Sequence, residues 1–162
     1  MLDDLPIFLI FILHPHALAI YEIDQMFCLM QHKAGGKMSE QVESIFASLP
    51  DLYLLRSDLI MRSKAASAVL LLDAGSDRVR LVVADQMVTV VSADGPMAGW
   101  DIALRADPAA WEDHWKAVPA PDAFDIFGMV RRGRMRIEGD FGPLMRHLQL
   151  IKDILALPRA TA

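Results

Sequence analysis

The sequence has one cysteine, Cys28, in 162 residues. That excludes a disulfide framework and a cysteine-built metal site, and it fits a reducing, cytoplasmic setting. A basic surplus is also missing. With a formal net charge of −5, the chain has no general field to attract nucleic acid or anionic headgroups. No apolar run reaches the about 20 residues that a membrane-spanning helix needs. The run LPIFLIFIL, Leu5 to Leu13, ends at His14, Pro15 and His16, and the acidic Asp3 and Asp4 before it do not suit a secretory signal. Between Met38 and Ala162 there is no internal repeat, low-complexity tract or linker.

Motifs that carry chemistry are equally scarce. No serine sits in a Gly-x-Ser-x-Gly elbow. Glu112, Asp113 and His114 are consecutive, so on a helix they face different directions, and neither they nor His147 form a His-x-x-x-His or Glu-x-x-His pair. Residues 112–114 are expected to be a solvated helix surface, and His147 a partly exposed, packed residue. Gly139-Asp140-Phe141-Gly142 lacks the lysine of a phosphate loop, and Asp140 would itself occupy the free amides of a helix start. The residues therefore argue against catalysis and point to no metal ligands and no cofactor.

What is present is apolar. A hydrophobic share of 54% beside 23% charged residues describes a globular chain with material for a sizeable core, most simply one domain. Its most informative stretch is GRMRIEGDFGPLMRHLQLIKDILAL, Gly133 to Leu157. Met135 and Ile137 alternate with Arg134, Arg136 and Glu138, the period of a strand with one buried face. Gly139 permits a backbone angle closed to other residues, Asp140 suits a helix cap, and Pro143 suits a first turn. Leu144, Leu148, Ile151 and Leu155 then repeat at helical spacing, with Met145, Leu150, Ile154 and Leu157 widening the apolar surface.

Upstream, Val42, Ile45, Phe46 and Leu49 predict a helix that ends at Pro50, and Asp51 is placed to cap a second short helix bearing Leu52, Leu55 and Leu59. Ala68 to Leu72, then Val79, Leu81 and Val83, then Met87 to Val91, read as strands joined by turns at Gly75-Ser76-Asp77 and Asp85-Gln86. Asp101 to Ala106 reads as another strand, its Ile102 and Leu104 facing inward. Short turns imply antiparallel pairing. Asp107-Pro108 opens a helix with Trp111 and Trp115 one turn apart, and Asp122 is placed to cap DAFDIFGMV. The sum is an α/β (α+β) fold, with an antiparallel sheet of about five strands covered on one face by helices.

The final stretch resembles the end of the sterol carrier protein 2 family, in which a G-K-[LM]-K-[IL]-x-G-[DN]-x-G strand and turn lead into an L-x-x-L terminal helix. The order of elements from Ser67 to Leu157 agrees, and ADPAAWEDHW is a fair match to the helix start that the family often has as [ST]-x-x-[DE]-[FW]; Pro143 departs from the family's pattern. The resemblance implies a small lipid-binding module with an apolar tunnel and no catalytic residues. The tunnel would be lined by Trp111, Trp115, Phe124, Phe127, Met129, Leu144, Met145, Leu148 and Ile151. Arg132, Arg134 and Arg136, sharing one face if all lie on a strand, would form a positive stripe for a headgroup. A fatty acyl chain, an acyl thioester or a sterol-like compound fits equally. The alternative is a non-catalytic module packing its apolar helix face against a partner enzyme or a second copy.

Gly35-Gly36-Lys37 before Met38 is compatible with a purine-rich sequence of the kind that precedes bacterial start codons, and a well-formed helix start follows. Residues 1–37 are thus expected to be an extension from a mis-assigned start, and 38–162 the binding domain. Intact-mass measurement of the natively expressed protein is expected to give a chain beginning at Met38, and a mass beginning at Met1 contradicts this.

Overall fold

The computed structural model describes residues 40–93 and 98–160. The expected extension, and Met38 and Ser39 at the expected helix start, lie outside the described residues. Helix α1, residues 40–54, buries Val42, Phe46, Leu49 and Tyr53 along one stripe. Contrary to expectation it does not end at Pro50, and Asp51 caps nothing. Proline inside a helix removes one hydrogen bond, at a cost of about 3 kcal/mol, and the full burial of Leu49 and Tyr53 on either side of it offsets that loss. The Tyr53 hydroxyl lies 2.5 Å from Ser63 Oγ and 3.2 Å from the carbonyl oxygen of Gln86, so the helix is tied to two other segments at once. Helix α2 is Ser57–Arg62 and buries Leu59, whereas Leu55 is exposed.

The sheet has five strands in the order β3-β2-β1-β4-β5. Strands β1 (Ala68–Ala74), β2 (Asp77–Ala84) and β3 (Met87–Ser92) form the expected antiparallel meander. At the second turn Asp85 and Gln86 both have positive φ, 50° and 63°, the two-residue form whose twist matches that of the flanking strands. Strand β4 (Ile102–Ala106) does not continue the meander. It crosses to the far side of β1 and pairs with it in parallel, Leu70 opposite Ile102 and Leu72 opposite Leu104. The sheet is therefore mixed, mostly antiparallel, because the longer connection from β3 lets β4 run in β3's direction. Strand β5 (Met135–Gly139) closes the far edge antiparallel to β4.

Helices α3 (Pro108–Trp115), α4 (Ile126–Arg131), α5 (Phe141–Arg146) and α6 (Leu148–Leu155) complete the described fold, followed by a tight turn at Leu157–Ala160. The cap of α4 is Asp125, whose Oδ1 accepts the Phe127 amide at 3.0 Å, and not Asp122. Asp140 caps α5 as expected, accepting the Gly142 amide at 2.8 Å. The expected single terminal helix is two helices meeting at His147, whose φ of −117° departs from helical geometry. The core joins Leu70, Leu72, Leu81, Ile102, Leu104 and Met135 of the sheet to Phe46, Trp111, Trp115, Ile151 and Ile154 of the helices.

Gly139, with φ +104°, ends β5 so close to β4 that an added Cβ would lie 2.2 Å from the Asp101 carbonyl oxygen and 2.8 Å from the Trp100 ring. Gly139→Ala is expected to destabilise the protein by at least about 2 kcal/mol, read as a lower denaturation midpoint at unchanged slope. An unaltered midpoint contradicts this geometry.

Candidate functional site

On α3, Trp111, His114 and Trp115 fall at i, i+3 and i+4 and share the inner face. The two indoles stack at 5.5 Å with Phe46 edge-on to both, and their N–H groups donate to the carbonyl oxygens of Asp73 and Leu155 at 3.1 and 2.9 Å. The expectation of a solvated surface at 112–114 fails at His114, which is only 2% exposed. Its Nδ1 lies 2.7 Å from the Ala123 carbonyl oxygen. A carbonyl can only accept, so Nδ1 carries the proton and Nε2 is left as an acceptor.

The group facing Nε2 is Arg159, on the turn after α6. Its Nη2 lies 2.9 Å from Nδ1 and 3.2 Å from Nε2 and donates to the Phe124 carbonyl oxygen at 2.7 Å, while its Nε donates to the His114 carbonyl oxygen at 2.7 Å. The guanidinium carbon sits 4.9 Å from the Phe124 ring centroid, within cation–π range. These groups close one end of a cleft of ≈330 Å³ between α6 and the segment leading into α4. Phe124, Ile126 and Ala156 supply its apolar wall, and Asp125, Gln149, Lys152 and Asp153 its polar side.

The charges there are mostly matched. Lys152 pairs with Asp125, and Asp153 accepts from Arg62 at 2.7 Å and from Gln149 at 2.8 Å. Burial alone would raise the pKa of Asp125, but its bonds from Lys152 and the Phe127 amide outweigh that and hold it below the usual carboxylate value. Among the described residues Arg159 has no carboxylate partner within ion-pair distance.

The expected tunnel residues divide. Trp111, Trp115, Met129, Leu144 and Ile151 are buried together in the core, and Phe127 and Leu148 pack half-buried against them. Met145 is exposed. Phe124, 61% exposed, is the member of the set that lines this cleft.

The arginine stripe does not form. Arg132 belongs to the end of α4 and Arg134 precedes β5, so only Arg136 lies on the strand. Arg134 bonds Asp113 at 2.5 Å, and Arg136 bonds Glu138 at 3.0 Å. Glu138 also accepts from Arg105 at 2.9 Å, and Arg105 in turn pairs with Asp73. The bonds from Lys116 and Arg134 hold Asp113 below the usual carboxylate range. No group of histidine, cysteine and carboxylate side chains that could hold a metal ion occurs among the described residues, and no helix among them is long and apolar enough to cross a membrane.

Gln149, Lys152 and Arg159 escaped the sequence reading. Arg159 did leave a signal, as the lone charge in the apolar tail ILALPRATA.

No family model and no curated protein matches the sequence. Solved structures do share its fold. A crystal structure of sterol carrier protein 2 superposes with a TM-score of 0.50 at 15% identity, over 70% of this chain and 95% of that one. A conserved hypothetical protein of Thermus thermophilus gives 0.52 at 14%, over 72% and 85%. A UbiJ-SCP2 ubiquinone synthesis protein gives 0.49 at 17%, over 76% and 97%. The chain thus has the sterol carrier protein 2 fold: a five-stranded, mostly antiparallel sheet with helices.

His114 makes the stability of this region depend on pH. Burial, reinforced by the charge of Arg159 and opposed by the Ala123 bond and Asp125, lowers its pKa from 6.5 to about 4. Between those values the unfolded chain takes up a proton that the folded one refuses. Stability is therefore expected to fall by roughly 3 kcal/mol as pH drops from 6.5 to 4. The paired aspartates act only below about 4. Denaturation midpoints across this window should slope for the native protein and flatten for His114→Gln; equal profiles contradict the assignment.

Proposed function

We propose that this protein binds a lipid or other hydrophobic small molecule noncovalently, making and breaking no bond. Two things support the reading: the sterol carrier protein 2 fold, and an apolar-walled cleft beside the terminal helix in a chain whose motifs offer no catalytic group. The cleft carries the argument. Phe124 and Ala156, with the fully buried Ile126 behind them, would cover an alkyl or ring surface, at about 25 cal/mol per Å² removed from water, with polar groups only on the opposite side. The ligand's seat is then the cleft's apolar wall, continuous with the core on which the tunnel was expected. His114, with both ring nitrogens engaged, serves to hold the wall and not to move protons. The single cysteine is consistent with work in a reducing, cytoplasmic compartment.

The second reading, a module that docks on a partner enzyme or on another copy, keeps its support in Leu54, Leu55 and Met61, which are 58%, 80% and 74% exposed around the α1–α2 junction.

Native mass spectrometry of the purified protein, followed by organic extraction, separates the two. A co-purified hydrophobic compound near one per chain is expected. A ligand-free dimer that also ignores a fluorescent fatty acid contradicts the binding reading and favours the second.

A further inference from the structure

Arg159 is bound on one side only. Its Nε and Nη2 are spent on the carbonyl oxygens of His114 and Phe124 and on the His114 imidazole. Among the described residues Nη1 has no hydrogen-bond partner. Each carboxylate in the cleft already has its own cation: Asp125 has Lys152 and Asp153 has Arg62. The cleft is lined by two cations, Lys152 and Arg159, and two carboxylates; because Arg62 takes Asp153 from outside the lining, Arg159 is the cation left without a carboxylate. Burial pulls this guanidinium below its usual pKa, with Asp125 opposing; arginine is charged at neutral pH.

A half-buried guanidinium whose Nη1 opens on a cleft is placed to take an anion there. With Nε and Nη2 taken, the open Nη1 can still donate a charge-assisted hydrogen bond to one carboxylate oxygen. The size of the cleft, ≈330 Å³, lies at the lower end for small-molecule sites, and its apolar wall adjoins the guanidinium directly through the Phe124 ring.

We infer that the cleft binds a short- to medium-chain carboxylic acid head first, its carboxylate on Arg159 Nη1 and its alkyl chain along Phe124 and Ala156. This rests on the lipid-binding reading above and narrows it to one headgroup. A carboxylate carries one charge, which Arg159 matches. A doubly charged phosphate would leave one negative charge facing Asp125 and Asp153.

Isothermal titration with decanoate, decanol and decyl phosphate tests this on the unaltered full chain, and Arg159→Gln tests the residue. The expected result is decanoate binding at least tenfold more tightly than decanol, with Arg159→Gln erasing that difference by weakening decanoate alone. Equal affinity of the native protein for decanoate and decanol overturns the headgroup inference and leaves the lipid reading standing. Tighter binding of decyl phosphate overturns the carboxylate assignment. If Arg159→Gln weakens both ligands alike, Arg159 is a structural latch and the inference fails. Binding of none of the three overturns both the inference and the reading beneath it. The native-protein comparison of decanoate with decanol decides the matter even if the variant does not fold.

Discussion

Asp101 holds the fold together at its one irregular joint. Its carboxylate accepts the Val69 amide, its own amide donates to the Val69 carbonyl oxygen, and its carbonyl oxygen accepts the Asp140 amide, each at 2.8 Å. One residue thus fastens the start of β1, the start of β4 and the end of β5. Parallel pairing is slightly weaker per residue than antiparallel pairing and cannot be closed by a hairpin, so the β1–β4 seam is where an outside fastener contributes most. Gly139 is required at the same point because the backbone of β4 comes too near to leave room for a side chain.

The register set there reaches the cleft through a short path. Strand β4 runs into α3 across Asp107 alone. Fixing Leu72 opposite Leu104 therefore fixes where Trp111, His114 and Trp115 enter the core. The two indole N–H groups lock α3 to β1 and to the end of α6. His114 then holds the Ala123 carbonyl oxygen, Arg159 holds that of Phe124, and the cleft lies between them. The cleft is suspended from an apolar core by buried hydrogen bonds, and for this reason the stability of the region is expected to depend on the protonation of a single imidazole.

The meander, the Asp140 cap, the strand at Met135 and the helix at Asp107-Pro108 were all legible in the sequence, because each depends on neighbours within a few residues. The parallel seam was not. Nothing local distinguishes a strand that turns back from one that crosses over, and the deciding contact joins Val69 to Asp101 across the sheet. Pro50 misled for the opposite reason: a local rule was overruled by tertiary burial of the residues around it. His114 could have been placed, since two tryptophans at i and i+4 on an inner face require residue i+3 to share it. Arg132 and Arg134 were assigned to a strand that begins only at Met135, and their spacing gave no warning of this.

The apolar surplus was read as a tunnel lining, and much of it is core packed around the indole pair. On the proposed function, the surface for a ligand lies at the edge of that core, where Phe124 and Arg159 meet. Mapping amide chemical shifts during a decanoate titration tests this placement most directly. The account predicts changes concentrated at Phe124, Ile126, Gln149, Ala156 and Arg159. Changes centred instead on Arg105, Arg134 and Arg136, or none at saturating decanoate, would contradict it.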